Sequence, residues 1–262
     1  MEKNDFRTNN ISFLPSVFTM LNLFLGFQAL FYIIGRKRSF KIAIYYLFAS
    51  VIMDSFDGTI ARLTKTESNF GAQLDSLVDA VVFGLVTSIL TYQWGFQSDH
   101  TRIGSIVAFV FLSAGLIRLA RYNVFKEAKA FPANIFVGVP IPTASMAVCS
   151  IVLIFGKTHP QTKTGIFIFS LFVIMVSLLM ISNVKYKTIK KIDLKNSLKA
   201  LFLIALIIAC LVIFPDITIP ILTFSYILSP LFSHVFSRKH RSIEPASIGK
   251  QVEGPVVSKT EA

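Results

Sequence analysis

Long apolar runs separated by short polar stretches dominate the chain. About 20 apolar residues in helical form cross the hydrocarbon core of a bilayer. Runs of that order recur near 15–35, 42–61, 71–95, 103–121, 138–155, 164–183, 198–214 and 219–236. The pattern predicts eight spanning helices. The fifth is entered through a stretch broken by Pro132, Pro140 and Pro142, and the last two are parted only by the short turn between Pro215 and Pro220, so seven is the alternative count. The first run leads directly into Arg36-Lys37-Arg38 without a small-x-small cleavage site, which marks a retained span and not a signal peptide. There is no internal repeat and no second globular domain. The expected fold class is therefore all-α, a polytopic membrane helical bundle of about eight transmembrane helices. Residues 1–14 form a cytoplasmic amino-terminal segment, 15–237 the membrane domain and 238–262 a disordered cytoplasmic tail, rich in Pro, Gly, Ser and charge.

Composition supports that setting. With 53% hydrophobic residues, 15% charged residues and 26 Phe among 262 residues, the chain reads as an integral membrane protein. A net charge of +12 in a soluble protein would suggest nucleic acid, but here the charge sits at loop ends, where it meets anionic lipid. With the amino terminus in the cytoplasm, segments 1–14, 62–70, 118–134, 184–199 and 237–262 lie inside and hold 19 of the 26 Lys and Arg residues, the orientation that positive-inside bias demands. The cluster Lys185, Lys187, Lys190, Lys191, Lys195 and Lys199 anchors that topology, or attracts an anionic lipid substrate. Arg36, Lys37, Arg38 and Lys41 run against the bias and read as an anchor for two helix ends. Cys149 and Cys210 fall in different spans with no metal-ligand spacing, and the four histidines are scattered, so neither a zinc site nor a His-based triad is indicated.

The exception to the apolar pattern is acidic. Asp54 and Asp57 lie at the end of the second run, Asp75 and Asp79 at the start of the third, and no other apolar run contains an acid. A carboxylate at membrane depth costs roughly 2.5–3.5 kcal/mol on insertion scales, so four in one helix pair call for compensating cations. Residues three or four apart share a helix face, which places Asp54, Asp57 and Ala61 on one stripe and Gly71, Asp75 and Asp79 on another. The carboxylates within each pair are separated by a rise of about 4.5 and 6 Å, a spacing suited to two divalent ions roughly 3.5–4 Å apart. Oxygen-only ligands point to hard cations, Mg²⁺ or Mn²⁺, and hence to a phosphate compound. Gly58, Gly71 and Ala61 leave room for a ligand to approach the backbone, and Arg62 offers a forked donor to a phosphate or nucleotide group.

The pattern D-x2-D-G-x2-A-R-x8-G-x3-D-x3-D, as it stands at 54–79, resembles the signature of the CDP-alcohol phosphotransferase family of membrane enzymes. The resemblance implies that family's fold, and transfer of a phosphatidyl or phosphoalcohol group from a CDP-linked donor to a hydroxyl with release of CMP. Asp54, Asp57 and Asp75 would be principal metal ligands. Asp79 would stand at the metal centre and serve as the catalytic base, while Gly58, Ala61, Arg62 and Gly71 would line the CDP site. A homodimer is also implied, although the sequence shows no interface.

Beyond the signature, Pro15 to Phe27, Arg118-Leu-Ala-Arg121-Tyr-Asn123, Phe136-Val-Gly138-Val-Pro140-Ile-Pro142 and Ile181-Ser-Asn183-Val-Lys185-Tyr186 are similar to the branch that uses L-serine as acceptor. The donor would then be CDP-diacylglycerol or a CDP-linked ether lipid. The chain departs from that branch in having Val82 before Phe83-Gly84, where Ser is usual. Arg118 and Arg121, three apart on one helix with Asn123 beyond, either read the acceptor's anionic group or anchor the interface. Asn22, inside the first span, either bonds substrate or glues helices. The alternatives are members of the family that use glycerol 3-phosphate or an inositol phosphate. More remote is a cation transporter, which would place its acids near the midplane and on repeats.

Overall fold

The computed structural model describes residues 13–36, 38–64, 69–96, 101–127, 135–156, 160, 162–187 and 198–240. The expected tail from 241 onward and most of the expected amino-terminal segment lie outside these residues, as do 188–197 of the lysine-rich stretch. The chain divides into two compact units, Met1–Pro230 and Leu231–Ala262. In the second, residues 231–240 are helical. The site lies in the first.

Eight helical rods are present among the described residues, matching the eight apolar runs. They are α1 (Phe13–Ile34), α2 (Phe40–Thr64), a rod made of α3 (Asn69–Asp79), a π-helix (Ala80–Val86) and α4 (Thr87–Gly95), α5 (Thr101–Glu127), α6 (Ile141–Phe155), α7 (Lys163–Ile181), α8 (Leu198–Ile213) and α9 (Pro215–His240). Among the described residues four stretches, Val17–Ile34, Phe70–Gly95, Thr101–Phe125 and Lys163–Ile181, are long and apolar enough to cross a membrane, and Ile141–Phe155 is a shorter apolar helix. Large apolar side chains such as Phe24, Phe109, Phe167 and Leu171 stand exposed on the outer faces. That is the arrangement expected where lipid, not water, covers the bundle.

Prolines set several boundaries. Pro215 opens α9 one residue after α8 ends, where its missing N–H would have been unsatisfied in any case. Pro140 caps α6, so this helix begins at Ile141 and not at 138. Ahead of it lies a feature the apolar pattern did not predict, a short antiparallel pair of β1 (Ile135–Val137) and β2 (Lys185–Lys187), with Phe136 opposite Tyr186. Gly138 follows at φ 78°, a left-handed conformation suited to glycine, and a Cβ there would run into the Met180 carbonyl oxygen.

The core sits where α1, α2, the α3–α4 rod, α5, α6 and α7 meet, and is filled by Phe83, Leu90, Trp94, Phe111 and Ile141. Trp94 stacks edge-on against Phe169 at 5.1 Å and donates its indole N–H to the Gly156 carbonyl at 3.1 Å. Ser88, Thr91, Ser150, Ser170 and Ser177 each return their hydroxyl proton to the carbonyl four residues earlier, and Thr87 pairs with Ser145 at 2.6 Å. Buried hydroxyls in an apolar bundle need such partners.

Candidate active site

The acids come together from α2 and α3. A short connection folds α2 back along α1, seen in the stacked rings of Tyr32 and Tyr46 at 5.5 Å and in Ser50 donating to the Asn22 side chain. α3 begins shortly after α2 ends and packs against α1. The result places Asp54 of α2 against Asp75 and Asp79 of α3, with one ligand oxygen from each lying within 4.8 Å of the others. The three could hold a metal ion. Asp54 and Asp79 are close neighbours within this cluster. Two carboxylates tolerate that approach only with a proton or cation between them. The Oδ1 atom of Asp79 is inaccessible and has no hydrogen-bond partner. These observations fit a site built for cationic charge.

The other expected residues fall in different places. Asp57, Gly58, Ala61 and Arg62 lie on the last turns of α2, beyond Asp54, and their side chains are outside the described residues. Gly71 stands one turn before Asp75 on α3. Arg118 is buried on α5, and Asp79 is among the titratable groups around it, together with Tyr122, Tyr226 and Arg121. Its guanidinium lies over the Tyr122 ring at 5.5 Å, and its Nε has no partner. Asn123 donates to the Ser76 hydroxyl at 3.0 Å, tying α5 to α3 beside Asp75.

Arg121 is occupied differently from Arg118. Its guanidinium donates to the carbonyls of Ile181 at 2.6 Å, Ser182 at 3.1 Å, and Met180 and Val137 at 3.3 Å, and to Asn183 Oδ1 at 3.4 Å. It closes the carboxyl end of α7, where a cation also suits the helix dipole. The sequence-based pairing of Arg121 with Arg118 as a joint anion reader is therefore not what the structure displays. Arg118 is buried with Asp79 in its surroundings, whereas Arg121 bonds the backbone at the end of α7.

One further feature was not foreseen. The π-helix starts at the residue after Asp79, and such turns concentrate at functional sites because they shift the helix phase. No local pattern in the apolar run announces it. Asn22 and Ser50 are both buried, and Ser50 stands one helical turn before Asp54 on α2. The sequence offered Asn22 as bonding substrate or gluing helices, and the structure places it fully buried against Ser50.

Taken together, the bundle and its site define a polytopic helical membrane protein with a carboxylate centre able to hold a metal ion, flanked by a buried arginine. The chain matches the family model described as CDP-alcohol phosphatidyltransferase over residues 12–182 and belongs to that family of membrane transferases. It is 37% identical over 205 residues to a protein of Helicobacter pylori (strain J99) named CDP-diacylglycerol–serine O-phosphatidyltransferase, covering 78% of this chain and 83% of the relative. A protein of the same name from Methanocaldococcus jannaschii is 34% identical over 168 residues, covering 64% of this chain and 70% of the relative. One from Mycobacterium bovis is 27% identical over 222 residues, covering 83% and 76%.

Proposed function

We propose that the protein transfers the phosphatidyl group of CDP-diacylglycerol to the hydroxyl of L-serine, forming phosphatidylserine and CMP, in the membrane and with its site open to the cytoplasm. The observation that carries this reading is the convergence of Asp54, Asp75 and Asp79 beside the buried guanidinium of Arg118. The names of the relatives support serine as acceptor. The catalytic unit is residues 15–237, acting as a homodimer.

Asp54, Asp57, Asp75 and Asp79 would hold two divalent cations, Mg²⁺ or Mn²⁺. When bound, these would neutralise the pyrophosphate and stabilise the charge that builds on its oxygens. Gly58, Ala61 and Gly71 leave backbone space for the CDP moiety, with Arg62 donating to its phosphate or base. Arg118 binds the serine carboxylate, for which a buried cation with an unused N–H is suited. Serine then presents its hydroxyl to Asp79. Asp79 takes the hydroxyl proton as the serine oxygen bonds to the phosphatidyl phosphorus, and the bond from that phosphorus to the CMP oxygen breaks with its electron pair leaving on CMP. The apolar walls exclude water, which would otherwise compete with serine as nucleophile.

The test supplies purified protein with CDP-diacylglycerol, Mn²⁺ and a panel of serine, glycerol 3-phosphate, inositol and inositol phosphate. Phosphatidylserine should be the preferred product. Use of glycerol 3-phosphate with serine ignored would refute the acceptor assignment. For orientation, a cysteine placed at Lys65 should be labelled by an impermeant reagent only after the cytoplasmic side is opened.

A further inference from the structure

Buried polar atoms in native proteins are almost always hydrogen-bonded, and an exception calls for a cause. Among the described residues, three buried side-chain atoms have no partner, namely Asn22 Nδ2, Asp79 Oδ1 and Arg118 Nε. One is an acceptor and two are donors. Two of them belong to the site already described. Asn22 comes from a different helix, α1, which packs against α3 and the π-helix that follows Asp79.

The register follows from two contacts. Ser50 of α2 donates to Asn22 Oδ1, and Asp54 stands one turn further along α2, a rise of about 6 Å. Gly26, one turn after Asn22 on α1, packs on Val82, since a Cβ there would come within 2.6 Å of a Val82 methyl. Because α1 and α3 are each joined to α2 by a short connection, they run parallel, and stepping back one turn on both sets Asn22 level with Val78, the neighbour of Asp79. Asn22 and Ser50 are fully buried, and Val78 nearly so. Ser50 occupies the amide oxygen, which fixes the side chain and leaves its N–H groups for another acceptor.

We infer that Asn22 is a specificity-determining residue for the acceptor substrate, donating from Nδ2 to an oxygen of the acceptor's carboxylate while Arg118 donates to the other. This deepens the proposed function and rests on it. Two unused donors and one unused acceptor match in kind an alcohol that carries an anion, with the hydroxyl proton directed to Asp79 Oδ1 and the anionic oxygens to Asn22 and Arg118. A site that leaves these donors unmet rejects an alcohol lacking the anion, because the buried N–H groups then stay unpaired. Ser50 acts through Asn22 and is a positioning residue.

Full-length protein with CDP-diacylglycerol in mixed micelles and Mn²⁺ provides the test, read as KM for serine, KM for the CDP-lipid, and thermal midpoint. Asn22→Asp keeps the shape and an oxygen for Ser50 but replaces the donor with an anion. It should raise the serine KM about 10- to 100-fold, more than Asn22→Ala does, with the CDP-lipid KM within about twofold of wild type. Ser50→Ala should raise the serine KM alone, by a few-fold. If Asn22→Asp does not accumulate, Ser50→Ala decides alone, and an unchanged serine KM there overturns the inference. A near-wild-type Asn22→Asp beside an unstable Asn22→Ala would show helix glue and also overturn it. Equal rises in both KM values would do the same. Wild-type protein that makes no phosphatidylserine at all would bring down the proposed function and this inference together, whereas the variant results bear on Asn22 only.

Discussion

Replacing Arg121 with alanine should destabilise the bundle before it affects substrate preference. The last carbonyls of α7 have no partners within the helix and are met individually. Leu178 accepts from the Ser182 N–H at 2.9 Å, and Leu179 from the Val139 N–H at 3.2 Å and the Ser182 hydroxyl at 2.8 Å. Met180, Ile181 and Ser182 accept from Arg121, which also reaches Val137 across the loop. Alanine removes that donor from four carbonyls at once. A hydrogen bond from a charged donor contributes roughly 1.5–3 kcal/mol, but the Ile181 bond is exposed and water would replace much of it. The partly buried bonds to Val137, Met180 and Ser182 are long, so a total loss of about 2–4 kcal/mol is expected. In a chain of this size that lowers the thermal midpoint by about 5–15 °C. Trp94, the single tryptophan of the sequence and buried against Phe169, gives the fluorescence signal for a melt in detergent. Arg121→Lys, with no planar fork, should recover only part of the loss. An unchanged midpoint in Arg121→Ala, combined with a raised KM for serine alone, would refute this reasoning and return Arg121 to the acceptor site.

Further outcomes follow from the same geometry. Asp54→Asn or Asp75→Asn should nearly abolish CMP release while the protein still inserts and folds, measured by turnover alongside the Trp94 melt. Gly138→Ala forces a side chain into φ 78° and against the Met180 carbonyl. It should cost roughly 1–3 kcal/mol of strain, visible in the same melt. Asp216 at the start of α9 accepts from Lys41 and from the Tyr45 hydroxyl at 2.7 Å. Burial pushes its carboxyl up, but the two hydrogen bonds outweigh that and hold it below the ordinary 3.8. Its stabilising contribution is therefore complete above the ordinary value and lost as pH falls through the lower folded one, so the difference in midpoint between wild type and Asp216→Asn should persist from pH 7 to 5 and shrink below about pH 4.

What the sequence made legible and what it hid follow one physical division. The rods and the meeting of Asp54, Asp75 and Asp79 were readable because helical periodicity and a short connection determine which faces of neighbouring helices meet. Arg121 was not readable in the same way. Its partners lie about 60 residues away at the end of α7, and only tertiary packing brings them within reach. The β1–β2 pair has the same cause, since it joins two loops separated by α6 and α7. The π-helix after Asp79 leaves the apolar pattern continuous while shifting its phase. Asn22 was visible as a polar residue, but its unfilled N–H could be recognised only once Ser50 was seen to occupy its oxygen.

The most direct test of the central claim is a product balance for purified wild-type protein given CDP-diacylglycerol and serine, with Mn²⁺ and then with excess chelator. The account predicts CMP and phosphatidylserine in equal amounts with the metal, neither after chelation, and both again once the metal is restored. CMP and phosphatidylserine formed at an undiminished rate in chelator would contradict it.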